Sequence, residues 1–246
     1  KYPHFRVIRL MLTEPIRAVP EVGIRDVVHS YVPACTARTG TIAYCIKIGP
    51  GACEYDLAAR EITRYLPVAQ GRYFYGHGAY SVNGELLYST ETELHNGDGV
   101  IAVRDSESMK LLGEFPTFGK EPHECKLIDG GNTMVVTNGG GDLLGDVPSV
   151  TYIDIASERL LEKVELTNAR LNTGHLAVDN TGNLVVVSAP RSGLDEDQLG
   201  GVSIRLRGDV MQTIATPESV TQRMIGEAHR SRPAAGGSGA DASHPF

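Results

Sequence analysis

Gly174-His175-Leu176-Ala177-Val178-Asp179-Asn180-Thr181-Gly182-Asn183-Leu184-Val185-Val186-Val187-Ser188 reads as a short apolar run, a polar turn and a second apolar run. Two antiparallel strands joined by a tight turn have this composition, because Asn, Asp and Gly accept positive φ or supply the side-chain hydrogen bonds such turns need. The same layout stands twice earlier in the chain. His123 leads through Gly130 to Met134-Val135-Val136-Thr137-Asn138, and His77 through Gly84 to Leu86-Leu87-Tyr88-Ser89-Thr90. In each case the glycine follows its histidine by seven residues, and successive histidines are 46 and 52 residues apart. Spacings of this size belong to architectures built from one supersecondary unit at a time, four-stranded propeller blades above all.

Two further strand-like runs follow each pair in the same order: residues 99–105 and 109–115, then 150–155 and 160–166, then 201–206 and 210–215. With the segment between each histidine and its turn (79–82, 125–128, 176–179) as the innermost strand, every unit has four strands. The predicted fold class is therefore all-β, a β-propeller of four-stranded blades. Apolar and polar residues alternate only weakly within the strands, as expected where an inner strand is covered on both faces by neighbouring blades. Upstream, residues 41–48 and 61–68 read as outer strands of a preceding blade, separated by Gly49-Pro50-Gly51. About four blades are visible, so the ring is either incomplete in this chain or closed through residues without a readable pattern. An open arc exposes two apolar blade faces, which predicts a protein partner or self-association through the blade edges.

The expected division is a poorly assigned N-terminal segment over 1–37, blades over 38–230 and a disordered tail over 231–246. Pro3, Pro15, Pro20 and Pro33 interrupt the first segment. A short helix is predicted over 218–230, opening at Pro217-Glu218-Ser219 and carrying Val220, Met224, Ile225 and Ala228 on one side.

With 246 residues and 41% apolar content the chain can bury a large core. Its net charge of −7 is spread without a basic stripe, which leaves a nucleic-acid backbone nothing to grip. No apolar stretch approaches the ~20 residues of a membrane helix. Lys1 has no hydrophobic leader region behind it, so the protein is either cytosolic or exported by a signal outside this sequence. Cys35, Cys45, Cys53 and Cys125 lack the CxxC spacing of a structural zinc site; disulfides and buried free thiols both stay open.

In a propeller the loop entering each inner strand lies at one mouth of the central channel. His77, His123 and His175 are read as occupying equivalent positions there, and three converging imidazoles could ligate iron, copper or zinc. Glu124, Glu91, Glu93 and Asn138 could add oxygen ligands or orient the rings. The competing structural reading is that each histidine pins its loop to the next blade through a ring N–H bond to a backbone carbonyl. Weaker candidates are the glycine-rich run 139–141, which joins strand to strand and opens no helix, and the acidic loop Asp195-Glu196-Asp197 as a calcium site. No serine stands in a nucleophile elbow.

The stretch Gly71-Arg72-Tyr73-Phe74-Tyr75-Gly76-His77-Gly78, with Leu87-Tyr88-Ser89-Thr90-Glu91, Gly113-Glu114-Phe115-Pro116, Glu121-Pro122-His123-Glu124, Thr137-Asn138-Gly139-Gly140 and Gly174-His175-Leu176-Ala177-Val178-Asp179, resembles a bacterial family of YncE-like, seven-bladed β-propellers of unknown function. The similarity covers residues 38–230, including Ala37-Arg38-Thr39-Gly40-Thr41, and leaves residues 1–34 unmatched. It implies a periplasmic protein encoded beside imelysin-like and iron-uptake lipoproteins. The function it suggests is a binding or assembly role in acquisition of iron or another metal, through the histidine cluster at the channel mouth. Two alternatives stand beside it: a propeller enzyme, either a lactonase-like hydrolase or a metal-dependent oxidoreductase, and a protein-interaction scaffold.

Overall fold

The apolar runs become the strands of successive antiparallel sheets in the computed structural model, which describes residues 5–11, 17–24, 30–35, 41–49, 51–56, 58–143, 145–179, 181–191, 194 and 200–215. Strands β1 (Phe5–Met11) and β2 (Arg17–Ile24) form a hairpin of their own. Blade 1 follows with β3 (Ser30–Cys35), β4 (Thr41–Gly49), β5 (Gly51–Asp56) and β6 (Glu61–Pro67). Blade 2 comprises β7 (Arg72–Tyr80), β8 (Leu86–Glu93), β9 (Asp98–Asp105) and β10 (Leu111–Lys120). Blade 3 comprises β11 (Pro122–Ile128), β12 (Thr133–Asn138), β13 (Ser149–Asp154) and β14 (Arg159–Glu165). Blade 4 comprises β15 (Leu176–Val178), β16 (Leu184–Ser188), β17 (Gly201–Arg205) and β18 (Gln212–Ala215). Each blade is an antiparallel meander in sequence order, and β4 also pairs with β7, so that blades 1 and 2 share one sheet.

Blades stack because their strands are apolar on both faces. In β12, Met134 and Val136 face one way and join Tyr88, Ile101 and Phe115 of blade 2, while Val135 faces the other way and joins Leu184 and Val186 of blade 4. A third cluster, with Ala52, Leu66, Phe74, Leu87 and Met109, fills the boundary between blades 1 and 2. The three hydrophobic clusters are thus the three interfaces between consecutive blades, and this double coverage is why the sequence alternates so weakly. Blade 4 differs. Its β16 alternates buried and exposed, and Val185, Val187, Ile204 and Ile214 lie on an exposed face.

Several expectations change at this level. The segment before residue 38 contributes β3, the first strand of blade 1, and residues 41–49 form that blade's second strand where an outer one was expected. Between the predicted runs 41–48 and 61–68, where Gly49-Pro50-Gly51 was read as the separator, lies a further strand, β5. Met109, expected to open a strand, is a turn residue at φ 58°. The β7 strand runs further upstream than the predicted 79–82 and takes in His77. Cys53 and Cys125 are buried free thiols. The one helical turn among the described residues is Asp129–Gly131; the predicted helix over 218–230, the acidic loop 195–197 and the tail 231–246 lie outside those residues. No described helix is long and apolar enough to cross a membrane.

Candidate metal centre

Three first strands of consecutive blades bring their histidines together where the blades meet. His77 lies in β7, His123 in β11, and His175 immediately before β15. Their ring centroids form a nearly equilateral triangle, 4.9 Å from His77 to His123, 4.9 Å from His77 to His175 and 4.8 Å from His123 to His175. One nitrogen from each ring lies within 4.8 Å of the other two. His77 and His123 are buried, whereas the His175 side chain keeps 44% of its surface exposed, so the cluster opens on that side.

The convergence does not arise from equivalent positions, as the sequence spacing suggested. Leu86, Thr133 and Leu184 open the second strands and pair with the closing residues of the third, Asp105, Asp154 and Arg205. Four residues further on stand Thr90, Thr137 and Ser188, and the first-strand register, continued outward from Gly78, Cys125 and Leu176, places His77, Glu124 and Gly174 opposite them. Two bonds mark that row: Thr90 Oγ1 donates to the His77 carbonyl at 3.0 Å, and Glu124 N–H donates to Thr137 Oγ1 at 3.0 Å. His123 and His175 are therefore displaced by one residue in opposite directions from the His77 position. A shift of one would turn a side chain to the other face of a regular strand. Here the pairing slips between Phe74 and Gly78 and again between Pro122 and Cys125, around two of the histidines, and irregularities of this kind re-aim side chains. Glycine permits the close approach beside two of them. A Cβ on Gly78 would lie 2.5 Å from the Tyr88 carbonyl oxygen, and one on Gly174 2.8 Å from that of Val187.

Glu124 stands in the His77 row and is buried. Its Oε2 accepts the Leu176 backbone N–H at 3.0 Å and faces His175 Nδ1 at 3.2 Å, and its Oε1 pairs with Lys126 Nζ at 2.7 Å. Burial raises the pKa of this carboxyl, but hydrogen bonds from His175 and Lys126 outweigh burial and hold it at about 2.

Glu91 takes no part in the triangle. Fully buried in β8, it receives Arg104 at 2.7 Å, while Arg104 also donates to Ser89 Oγ at 2.6 Å and lies over the Phe74 ring. Its place one residue beyond Thr90 sends it to the opposite face of the sheet. Glu93 pairs with Arg72, and Asn138 donates to Thr151 Oγ1 at 3.1 Å, so neither contributes to the cluster.

Two neighbours of the cluster were not singled out from sequence. The Tyr75 ring meets His123 edge-on at 5.6 Å and its hydroxyl donates to Glu121 Oε2 at 3.3 Å; burial, with the Glu121 charge nearby, raises this phenol well above its usual pKa. Glu121 holds φ 49° immediately before Pro122-His123, its N–H bonded to the Gly97 carbonyl and its carbonyl to Gly139 N–H. Tyr75 stands two residues before His77 and so shares its side of an extended strand, a signal the sequence did contain. Lys126 stands in the same way two residues after Glu124.

A family model described as "Protein of unknown function (DUF1513)" matches residues 37–228. The chain belongs to this family. All three histidines of the DUF1513 chain, with Glu124, fall inside the matched region. No curated protein matches it. Among solved structures the DUF1513 chain is similar to one described as Kuenenia stuttgartiensis hydrazine synthase, at 16% identity and a TM-score of 0.48. That alignment covers 78% of this chain and 66% of the other, just under two thirds of its length.

Proposed function

We propose that this DUF1513 protein binds one first-row transition-metal ion through His77, His123 and His175, and serves as a metal-binding or assembly module of a metal acquisition system in the periplasm. One observation carries the reading: three imidazole nitrogens from three separate blades lie within 4.8 Å of one another. Neutral imidazole suits zinc, copper and iron alike. Metal–nitrogen bonds of about 2.0–2.1 Å in tetrahedral geometry set the nitrogens ~3.4 Å apart, so from separations of up to 4.8 Å the rings need close by no more than about 1.4 Å on an ion. The periplasmic location and the link to iron uptake come from the family resemblance alone.

A set of three histidines leaves a coordination position open, as in catalytic zinc sites. This favours a second reading, in which the ion serves hydrolysis or oxidation.

The test is metal analysis of protein purified without a metal-affinity tag, then offered zinc, copper or ferrous ion and desalted. The expected result is about one ion per chain, lost to background in His123→Ala while the thermal transition stays cooperative. Wild-type protein that retains none of the three ions overturns the proposal.

A further inference from the structure

Resting on that reading, we propose that Glu124 is a positioning residue of the metal centre: it stays off the ion, holds the Nδ1–H of His175 and so presents His175 Nε2 as the ligating nitrogen.

The argument starts from the saturation of the carboxylate. Oε1 is taken by the Lys126 ammonium at 2.7 Å and Oε2 by the backbone N–H of Leu176 at 3.0 Å. Both are donors and one is a cation, so together they hold the carboxyl in its ionised form, whose two oxygens only accept. The third contact, Oε2 to His175 Nδ1 at 3.2 Å, then requires the hydrogen to sit on Nδ1. In a neutral imidazole this leaves the lone pair on Nε2.

Position and charge agree with this role. Glu124 projects from β11 and its bond to Leu176 N–H ties it to β15, so the same carboxylate that clasps two blades also holds the third ligand's ring. His175 is the most exposed of the three rings and the one most able to swing into solvent. The Lys126 ammonium balances the carboxylate, so the pair adds no net charge beside the ion. Carboxylates behind metal-bound histidines orient the ring and raise its basicity, and their loss weakens metal binding about 10–100-fold.

The experiment pairs zinc titration of wild type, Glu124→Gln and Glu124→Ala with NMR of the ring nitrogens in ¹⁵N-histidine-labelled protein, with and without zinc. The expected result is His175 protonated on Nδ1 in the metal-free wild type and bonded to zinc through Nε2 when loaded. Zinc affinity falls at least tenfold in Glu124→Ala and less in Glu124→Gln, whose amide oxygen can still accept from Nδ1–H. Unchanged zinc affinity in Glu124→Ala, or zinc on His175 Nδ1, overturns this inference while leaving the metal site standing. A wild type that takes up no zinc defeats zinc binding instead, and the His175 tautomer in metal-free protein still decides Glu124: Nε2–H there overturns the positioning role. Should Glu124→Ala fail to fold, the Gln variant and the wild-type tautomer decide it.

Discussion

Arg60, Met109 and Glu158 hold φ of 59°, 58° and 57°, each four residues after an aspartate, Asp56, Asp105 or Asp154, that begins a blade hairpin. Each aspartate's Oδ1 accepts from backbone N–H groups inside its turn: Ala58 and Ala59 for Asp56, Ser108 for Asp105 and Ser157 for Asp154. The turn is thus over-determined by side-chain bonds, which lets a residue with a Cβ occupy a left-handed conformation that favours glycine. Glu158 is exposed, so Glu158→Gly relieves that strain without opening a cavity. A gain of about 0.5–1 kcal/mol in unfolding free energy is expected from chemical denaturation; a destabilised variant contradicts this. Met109 sits in the core between blades 1 and 2, so the same substitution there removes buried surface and loses stability. From sequence the aspartate and serine of two of these turns were legible, but nothing in Met109 or Glu158 announces a positive φ. The histidines show the same limit. Their spacing showed that they recur, while their true register depends on strand irregularities that no spacing records.

Within a blade, the buried Arg104–Glu91 pair shows what an element conceals from its sequence. Glu91 lies in a run of buried residues from Leu87 to Thr92 in β8, and Arg104 reaches it from β9. Removing one partner strands a charge in the interior, so Arg104→Met is expected to cost about 3–5 kcal/mol. The double variant Glu91→Gln/Arg104→Met recovers part of that loss, because no uncompensated charge remains. A thermodynamic cycle over the four proteins checks this, and additive losses refute the coupling. The same concealment explains β5, whose buried Glu54 is held by Arg64 at 2.7 Å and Thr63 at 2.8 Å, both from β6. Strands such as β12 and β16 were readable because apolar runs bounded by turn residues need no partner to identify them. Polar strands are defined by what lies across from them.

At the scale of the molecule, each consecutive pair of blades shares one hydrophobic cluster, a nearest-neighbour arrangement in which stability accrues interface by interface. A metal held jointly by blades 2, 3 and 4 would add a bond that bypasses this serial order. Zinc at 100 times its dissociation constant is expected to stabilise the folded protein by about 2.7 kcal/mol through mass action. A calorimetric scan before and after chelation measures the shift, and His123→Ala should show none. An equal shift in that variant would mean that zinc stabilises the protein elsewhere. The all-β, bladed architecture was legible at this scale because a repeated unit multiplies a weak local signal. The different surroundings of Glu124 and Glu91 were not, since the face each side chain takes and the donors it meets depend on strand register and on partners across the sheet.

Each imidazole comes from a different sheet, so the three-histidine cluster exists only after blades 2 and 3, and blades 3 and 4, have docked. An ion captured there would be a tally of finished assembly: a folding intermediate that lacks blade 4 would offer two of the imidazoles but never the full set. Metal uptake followed in time would therefore clock the last docking event, and a ligand-deficient intermediate would release its cargo before the core of any single sheet had come apart.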